Sequence, residues 1–510
     1  MMTRKIGWRP ARFQFLVLAG LALGLTGCTV GPDYETPEFE AVPDAWQNAA
    51  AADIADSNSV LDEWWTAFGD TLLDNLIAMA RESSPDAAQA VGRIREARAY
   101  HQIAGGDYYP QFNFDGVFSR TEFGDNTPLG AIAGTNPVNN WEFGLGASWE
   151  LDVFGRVRRT REATAAGIQA SIEDYRDVMV SLQAEIAQTY IQVRTLQLRL
   201  DFALGNVKSQ RETMEVVTAR EDAGLVPLLD VTRARSNLAN TEAAIPQLET
   251  ALEVARNSLA ILLGLTPGSL DQRLAEIIEL GDPMTEIAVA LPAELLRRRP
   301  DVRRSERQLA SQTARIGVAT ADLYPSFSLT GALTLQASEF ANLGDSGHFG
   351  WSLAPGVRWS LFTGGKIRGQ IKAEEAITEQ LLAGYEKTVL NALAEVENSL
   401  VALRQEEIRR DLLITAVESS QQSVALVHTQ YVEGLTDFQS YLDAQRVLFD
   451  QQDAFALSRG LVYANLINLN RALGGGWSLG DPDPDRPAEE ETVAANASGA
   501  PSAETGGADR

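Results

Sequence analysis

The chain has 510 residues and carries 43 Lys and Arg against 69 Asp and Glu, a formal charge of −26. That balance argues against nucleic acid as a partner and suits a well-solvated, extended surface. A single cysteine excludes an internal disulfide, and three histidines leave little from which to build a Cys/His metal cluster.

The first predicted element is a leader. Arg4, Lys5, Arg9 and Arg12 form a basic stretch, and Phe13 to Leu25 form an apolar one too short for a comfortable membrane span. Leu25-Thr26-Gly27-Cys28 then resembles the bacterial lipobox, in which cleavage falls before the cysteine and the new N-terminus carries palmitoyl and diacylglycerol chains. Each buried methylene contributes roughly 0.8 kcal/mol, so several chains on Cys28 make a firm anchor. An ordinary secretory signal followed by a chance cysteine is the alternative. Thr29 rather than Asp follows the cysteine, which in lipoproteins of this kind implies the outer membrane. No long apolar stretch follows the leader, so a mature chain that crosses a bilayer must do so as a β-barrel.

The remainder is written twice. "WELDVFGRVR" from Trp149 aligns with "WSLFTGGKIR" from Trp359 at a shift of about 210 residues. The same shift carries Gly224-Leu225 onto Gly434-Leu435 and Leu263-Gly264 onto Leu473-Gly474, and "YYPQFNF" pairs with "LYPSFSL" at nearly the same offset. In each copy two segments alternate with period two. Phe112, Phe114, Gly116 and Phe118, then Trp141, Phe143, Leu145, Ala147, Trp149 and Leu151, mark the first hairpin. Phe327, Leu329, Gly331, Leu333 and Leu335, then Phe349, Trp351, Leu353, Val357, Trp359 and Leu361, mark the second. Strands of about ten residues fit a tilted crossing of hydrocarbon, and the opposite faces are rich in Gly, Ser, Thr and Asn, as a water-filled lumen requires. A small soluble sandwich is the competing interpretation.

After each hairpin the period changes to that of a coiled coil: Ile168, Ile172, Tyr175, Met179, Leu182 and Ile186 in one copy, Val389, Leu393, Val396, Leu400 and Leu403 in the other. Helices from about Arg156 to Gly224 and about Lys366 to Gly434 would each run roughly 100 Å. Return helices are predicted over Leu228 to Leu263 and Phe438 to Leu473, completed by Pro292 to Thr320 and by Thr71 to Ala104. Arg297, Arg298 and Arg299 are expected to end one helix, and Pro300-Asp301 to start the next, with the charges of these and of Arg303, Arg304 and Arg307 facing water. The predicted organisation is a signal peptide (1–27), an extended lipidated segment (28–70), a first repeat (71–265, hairpin 108–154), a linker (266–291), a second repeat (292–480, hairpin 323–363) and a disordered acidic tail (481–510).

No catalytic constellation emerges. "GDSG" at Gly344 lies between two strands of a hairpin, where Gly, Asp and Ser are ordinary turn residues, and His348 beside it has no triad partner. "GGK" at Gly364 lacks the spacing of a phosphate loop, and His101, His348 and His428 are scattered. Four strands leave two open edges, which hydrocarbon does not tolerate, so a cyclic homo-oligomer must supply the rest; three chains give twelve strands and a lumen.

"GPDYETPEF" after Cys28, "WWTAFGD" at Trp64, "LLRRRPDVRRSERQLASQTARIGVATADLYPSFSLTG" from Leu295, "DFQSYLDAQRVLFDQQ" and "INLNRALGGGW" ending at Trp477 together resemble the TolC-like outer-membrane efflux proteins, in the lipoprotein branch that serves resistance-nodulation-division pumps. The resemblance implies a mainly α fold with a transmembrane β part. Three tandem-duplicated protomers would form a twelve-stranded barrel on an α-helical tunnel. It implies a passive, non-enzymatic duct in the bacterial outer membrane, with a large periplasmic portion, exporting small molecules. Its partners would be outer-membrane lipid, a periplasmic membrane-fusion adaptor and an inner-membrane transporter. An exit duct for type I protein secretion and a non-conducting periplasm-spanning scaffold are the competing functions. By the same resemblance Gly224, Leu225, Val226, Gly434, Leu435 and Thr436 are tips that meet the adaptor, and Asp230, Asp443 and Tyr431 form the periplasmic aperture. Thr436 occupies the position of a basic partner in the family, a departure that leaves open whether an ionic latch holds the aperture; solvated carboxylates near helix starts are the alternative interpretation of the two aspartates. Cys28→Ser should abolish incorporation of radiolabelled palmitate, and persistent labelling would refute the lipobox.

Overall fold

A computed structural model describes residues 28–37, 43–48, 62–124, 128, 137–278, 281, 298–478 and 483–485. The leader and nearly all of the acidic tail lie outside the described residues, as do Arg297 and most of the second half of the linker. The chain divides into two units, one of Arg95–Ala170, Ser305–Tyr385 and the N-terminal segment to Glu38, the other of Phe39–Ile94, Ser171–Arg304 and Glu386 onward.

The first unit holds one antiparallel sheet of β1 (Gln111–Thr121), β2 (Val138–Leu151), β3 (Ser326–Ala337) and β4 (Phe349–Arg358), in that order. β2 pairs with β3, from Trp141 opposite Ala337 to Leu151 opposite Phe327, so the two copies are joined through their inner strands and β1 and β4 are the edges. The predicted alternation holds. Phe112, Phe114, Trp351 and Leu353 are exposed on one face. Phe118 and Trp141 pair across strands at 4.4 Å, and the missing side chain of Gly116 makes room for the Phe143 ring. On the other face Asn113 lies over Gly146, where a Cβ would come 2.4 Å from its Oδ1. The equivalent indoles, Trp149 and Trp359, each donate to a carbonyl just before the first strand of their own copy, Tyr108 at 2.9 Å and Leu323 at 3.0 Å.

The residues after Cys28 form a strap in this unit. Arg159 is almost wholly buried; it donates to the carbonyls of Val30 (3.1 Å) and Gly31 (3.2 Å) and pairs with Asp33 and Glu162 at 2.7 Å. Gly31 takes φ +91° where it meets Gly317, and Thr29 lies against Gly155. Arg307 covers the ring of Tyr34, whose phenol is pushed up to about 12 by burial and by Glu306.

The helices are α1 (Thr71–Ser83), α2 (Pro85–Gly106), α3 (Arg156–Asp222), α4 (Leu228–Leu262), α5 (Pro300–Ala321), α6 (Lys366–Val432) and α7 (Phe438–Ala472). α3 and α6 have 67 residues each and α4 and α7 have 35, and one shift relates all four pairs of bounds. No described helix is long and apolar enough to cross a membrane. In the second unit, Leu182, Ile186, Val193, Leu196, Ala203, Val207 and Val217 of α3 are buried and fall on one register of alternating three- and four-residue steps, with some steps filled by other residues, as do Val231, Ala234, Leu238, Leu248, Leu252, Ala255 and Leu259 of α4. Asp70 caps α1 through Leu72 N (2.9 Å) and accepts the hydroxyl of Tyr190. Arg194 then ties Tyr190 to the Glu276 carbonyl of the linker, at 2.9 and 2.5 Å.

Two expectations are corrected. The helix predicted over Thr71 to Ala104 is broken at Ser84, which is extended (φ −65°, ψ 130°) because Pro85 lacks an N–H and disfavours helical geometry in the residue before it. The arginine run does not face water: Arg298 and Arg299 are buried. Arg298 pairs with Asp62 and donates to the Trp477 carbonyl (3.1 Å), while Arg299 pairs with Asp301 (2.8 Å) and Glu395 (2.7 Å) and donates to Ala472 O (2.9 Å), a carbonyl left open at the end of α7. Arg303 and Arg304 are likewise paired, with Glu173 and with Asp174 and Asp177, and Arg307 pairs with Glu306. Burial alone would lower the pKa of Arg299, but its two carboxylates more than offset that and hold it charged. Arg299→Ala would strand those partners, costing about 3 kcal/mol or more; a matching fall in stability on thermal unfolding followed by circular dichroism is expected.

Candidate functional site

The predicted tip residues form two turns in the second unit, built alike. α3 ends as Gly224 adopts φ +72°, with Gly224 N donating to Glu221 O (2.7 Å) and Leu225 N to Arg220 O (2.8 Å). α6 ends as Gly434 adopts φ +75°, with Gly434 N donating to Tyr431 O (3.1 Å) and Leu435 N to Gln430 O (2.8 Å). The six-residue closure satisfies open carbonyls and needs a left-handed residue, which glycine supplies without strain. A side chain at either glycine would meet nothing within 4 Å, so backbone conformation alone demands them.

Leu225 and Leu435 are 69% and 74% exposed. A hydrophobic residue at this place in the turn normally packs back on its helix, and here both project outward, as a contact surface would. Val226 instead packs against the tip cluster of Val217, Val231, Ala234, Tyr431, Phe438, Tyr441 and Leu442, and Thr436 is half-buried. The turns differ in their exits. α4 starts after Pro227, which gives no side-chain cap, whereas Asp437 caps α7 by accepting from Ser440 N (2.8 Å) and Ser440 Oγ (2.7 Å).

The three aperture candidates do not form one cluster within the protomer. Tyr431 is buried, 5.2 Å from the ring of Phe438 and stacked at 6.2 Å on Tyr441. Burial raises its phenol pKa; the Arg220 guanidinium, 5.0 Å over the ring, opposes this, and the Asp230 carboxylate adds to it. Asp230, half-buried in the first turn of α4, is therefore within electrostatic reach of Tyr431. Asp443 is exposed, and its partners are on its own helix: Gln439 donates to it at 3.0 Å and Arg446 at 3.4 Å. Repeat symmetry sets Ser440, not Asp443, opposite Asp230, so the carboxylates sit at different levels of the two copies. Arg220 did not emerge from the sequence; the available signal was a basic residue in the last turn of α3. Cys28 is exposed and its thiol is free.

Two copies of a long helical hairpin, joined through a four-stranded sheet with an exposed aromatic face, have the build of a duct-forming protein of the bacterial outer membrane. The chain belongs to the outer membrane efflux protein family, whose model matches residues 76–265 and 291–475. It is 31% identical over 471 residues to nodulation protein T of Rhizobium leguminosarum bv. trifolii, which covers 92% of this chain and 98% of that one. It is 32% identical over 475 residues to the pyoverdine export outer membrane protein OpmQ of Pseudomonas putida, covering 92% and 99%. Among solved structures, the outer-membrane channel OprN superposes with a TM-score of 0.79 at 35% identity, covering 88% of this chain and all of that one. The family is one of transport proteins rather than enzymes, and the chain is the outer-membrane component of an efflux system.

The Ser440 hydrogen bonds hold the Asp437 carboxyl below its ordinary value. A lowered carboxylate contributes its stabilisation above the ordinary pKa and loses it as pH falls through the lowered one. Hydrogen exchange at the Ser440 amide should therefore accelerate only at pH below the usual Asp range, and Asp437→Asn should remove that step.

Proposed function

We propose that the protein is a lipid-anchored homotrimeric exit duct for small toxic molecules, joined at its helix tips to a periplasmic membrane-fusion adaptor and through it to an inner-membrane resistance-nodulation-division transporter. The observation that carries this is the edge composition of the sheet. β1 and β4 each leave a row of backbone groups unpaired while their aromatic faces suit hydrocarbon, and an open edge in lipid costs several kcal/mol per unsatisfied group. Pairing β4 of one protomer with β1 of the next removes every edge, and three protomers give twelve strands around a lumen lined by Asn113, Gly144, Gly146, Thr334 and Gly350.

Cys28 carries the anchor in this proposal. The exposed thiol and the fixed strap behind it support palmitoyl and diacylglycerol chains held beside the start of α3, since Thr29 packs on Gly155 and Val30 N donates to Phe154 O (3.3 Å). Leu225 and Leu435, with Gly224, Val226, Gly434 and Thr436 shaping their turns, form the adaptor contact. Asp230, Asp443 and Tyr431 line the aperture, where three copies of each carboxylate would favour cations. The relative named for pyoverdine export supports efflux of small molecules over secretion of proteins.

The mass of the detergent-solubilised protein, less its bound detergent, should equal three chains, and planar bilayers should show ion conductance. A monomer stable in detergent, or a trimer that never conducts, would leave the non-conducting scaffold as the better account.

A further inference from the structure

We propose that a cavity bounded by α3, α7 and the linker binds a hydrophobic monocarboxylate of medium chain length, with Arg194 as its anion contact. Arg194 is 3% exposed, yet its hydrogen bonds go to neutral oxygens only. Nε donates to the Tyr190 hydroxyl (2.9 Å), and Nη1 to Gln197 Oε1 (2.9 Å) and the Glu276 carbonyl (2.5 Å). Nη2 has no hydrogen-bond partner among the described residues. The guanidinium also meets the ring of Tyr190 at 5.0 Å, and it reaches the Asp70 carboxylate only through that residue's hydroxyl. An arginine stays charged, and a buried charge without an opposite one is costly. Arg298 and Arg299 in the same unit each pair with a carboxylate; Arg194 does not. Repeat symmetry places Arg404 at the matching position on α6, and within the protomer that side chain is exposed to water. The burial of Arg194 is therefore particular to the first copy, where Glu276 of the linker lies on it.

The cavity that Arg194 borders has a volume of about 380 Å³, enough to enclose a small organic molecule. Its apolar walls are Leu198 and Phe202 of α3, Phe455 of α7, and Ile277 and Ile278 of the linker. Ile277 and Ile278 are 57% and 38% exposed, so the protomer leaves much of this apolar surface uncovered. At the same border α3 and α7 approach so closely that a Cβ at Gly460 would run into the Thr195 hydroxyl, which stops the helices from drawing together to close the space. The charged groups around it are Arg194, Arg459 and the exposed Asp201, a balance that favours an anion. The class of ligand follows from the two halves of the site. A carboxylate accepts from Nη2 in a charge-assisted hydrogen bond and supplies the missing negative charge, while an alkyl chain takes the Leu, Ile and Phe walls out of water. An inorganic anion would leave those walls wet, and an alcohol would leave the guanidinium without a counter-charge.

Photolabelling of the full lipidated protein in phosphatidylcholine nanodiscs tests this, using decanoate with a diazirine at the end of its chain and peptide mass spectrometry to locate the label. Saturable labelling is expected on the peptides that carry Phe202, Phe455 or Ile277, competed by excess decanoate but not by decanol or decyltrimethylammonium. Arg194→Met should lower that labelling about tenfold or more, and Arg194→Lys, which keeps the charge, should lower it less. Leu198→Trp should abolish it by filling the cavity while Arg194 stays in place. Labelling that survives Arg194→Met, or that decanol displaces as well as decanoate does, would reduce the site to an apolar crevice and overturn the proposal. Label confined to β1 to β4, with none on α3, α7 or the linker, would overturn it as well. Oligomer mass is checked for each variant; should Arg194→Met fail to assemble, Leu198→Trp and the competition by decanol decide.

Discussion

A helix of 67 residues cannot be held by its ends. Capping and charge at the termini act only over the first and last turn, so nearly every residue of α3 and α6 depends on what lies alongside. The governing constraint is therefore a continuous lengthwise seam. The alternating three- and four-residue spacing of Leu182 through Val217 meets this need, and the matching series on α4 continues it. Thr189 and Gln210 are polar interruptions in the stripe, and Gln210 is buried.

Where the seams end, charge takes over from packing. The ends of α5 and α7 bring open backbone groups together, and Arg299 answers the Ala472 carbonyl while two carboxylates answer Arg299. The tips add to their apolar cluster of Val217, Val231, Phe438 and Leu442 two glycine-dependent closures, one Asp cap and one arginine on an aromatic face. The same physics serves two purposes. In the buried joint the arginines meet carboxylates and are costly to remove, whereas at the tip a single cation lies over an aromatic ring.

Much of this was legible in the sequence because the signals are local and periodic. Period two marked all four strands, the heptad marked both long helices, and the shift between "WELDVFGRVR" and "WSLFTGGKIR" is enough to show the duplication. Pro85 is equally plain in the sequence, and it marks the break at Ser84 that an unbroken helix over Thr71 to Ala104 passes over. Contacts between segments distant in sequence were not legible. Nothing in "LLRRRPDVRR" reveals that Asp62, Glu395 and the end of α7 converge on it, so solvent was the default for its charges. Arg220 was hidden for the same reason, since a basic residue in the last turn of a helix resembles any solvated helix end until its partner is known.

The identical lengths of α3 and α6, and of α4 and α7, bear on how such a chain can evolve. Deleting one residue from a long helix turns everything beyond it by about 100°, which would carry the apolar stripe out of its seam. Only changes near whole heptads preserve the seam, and unless both copies changed together the tips would no longer end level. Length variation should thus be confined to segments that carry no such register. The hairpin loops already differ between the copies, since the segment between β1 and β2 is longer than that between β3 and β4. Insertions in relatives of this chain belong there and in the linker, while the helices are inherited as units of fixed measure.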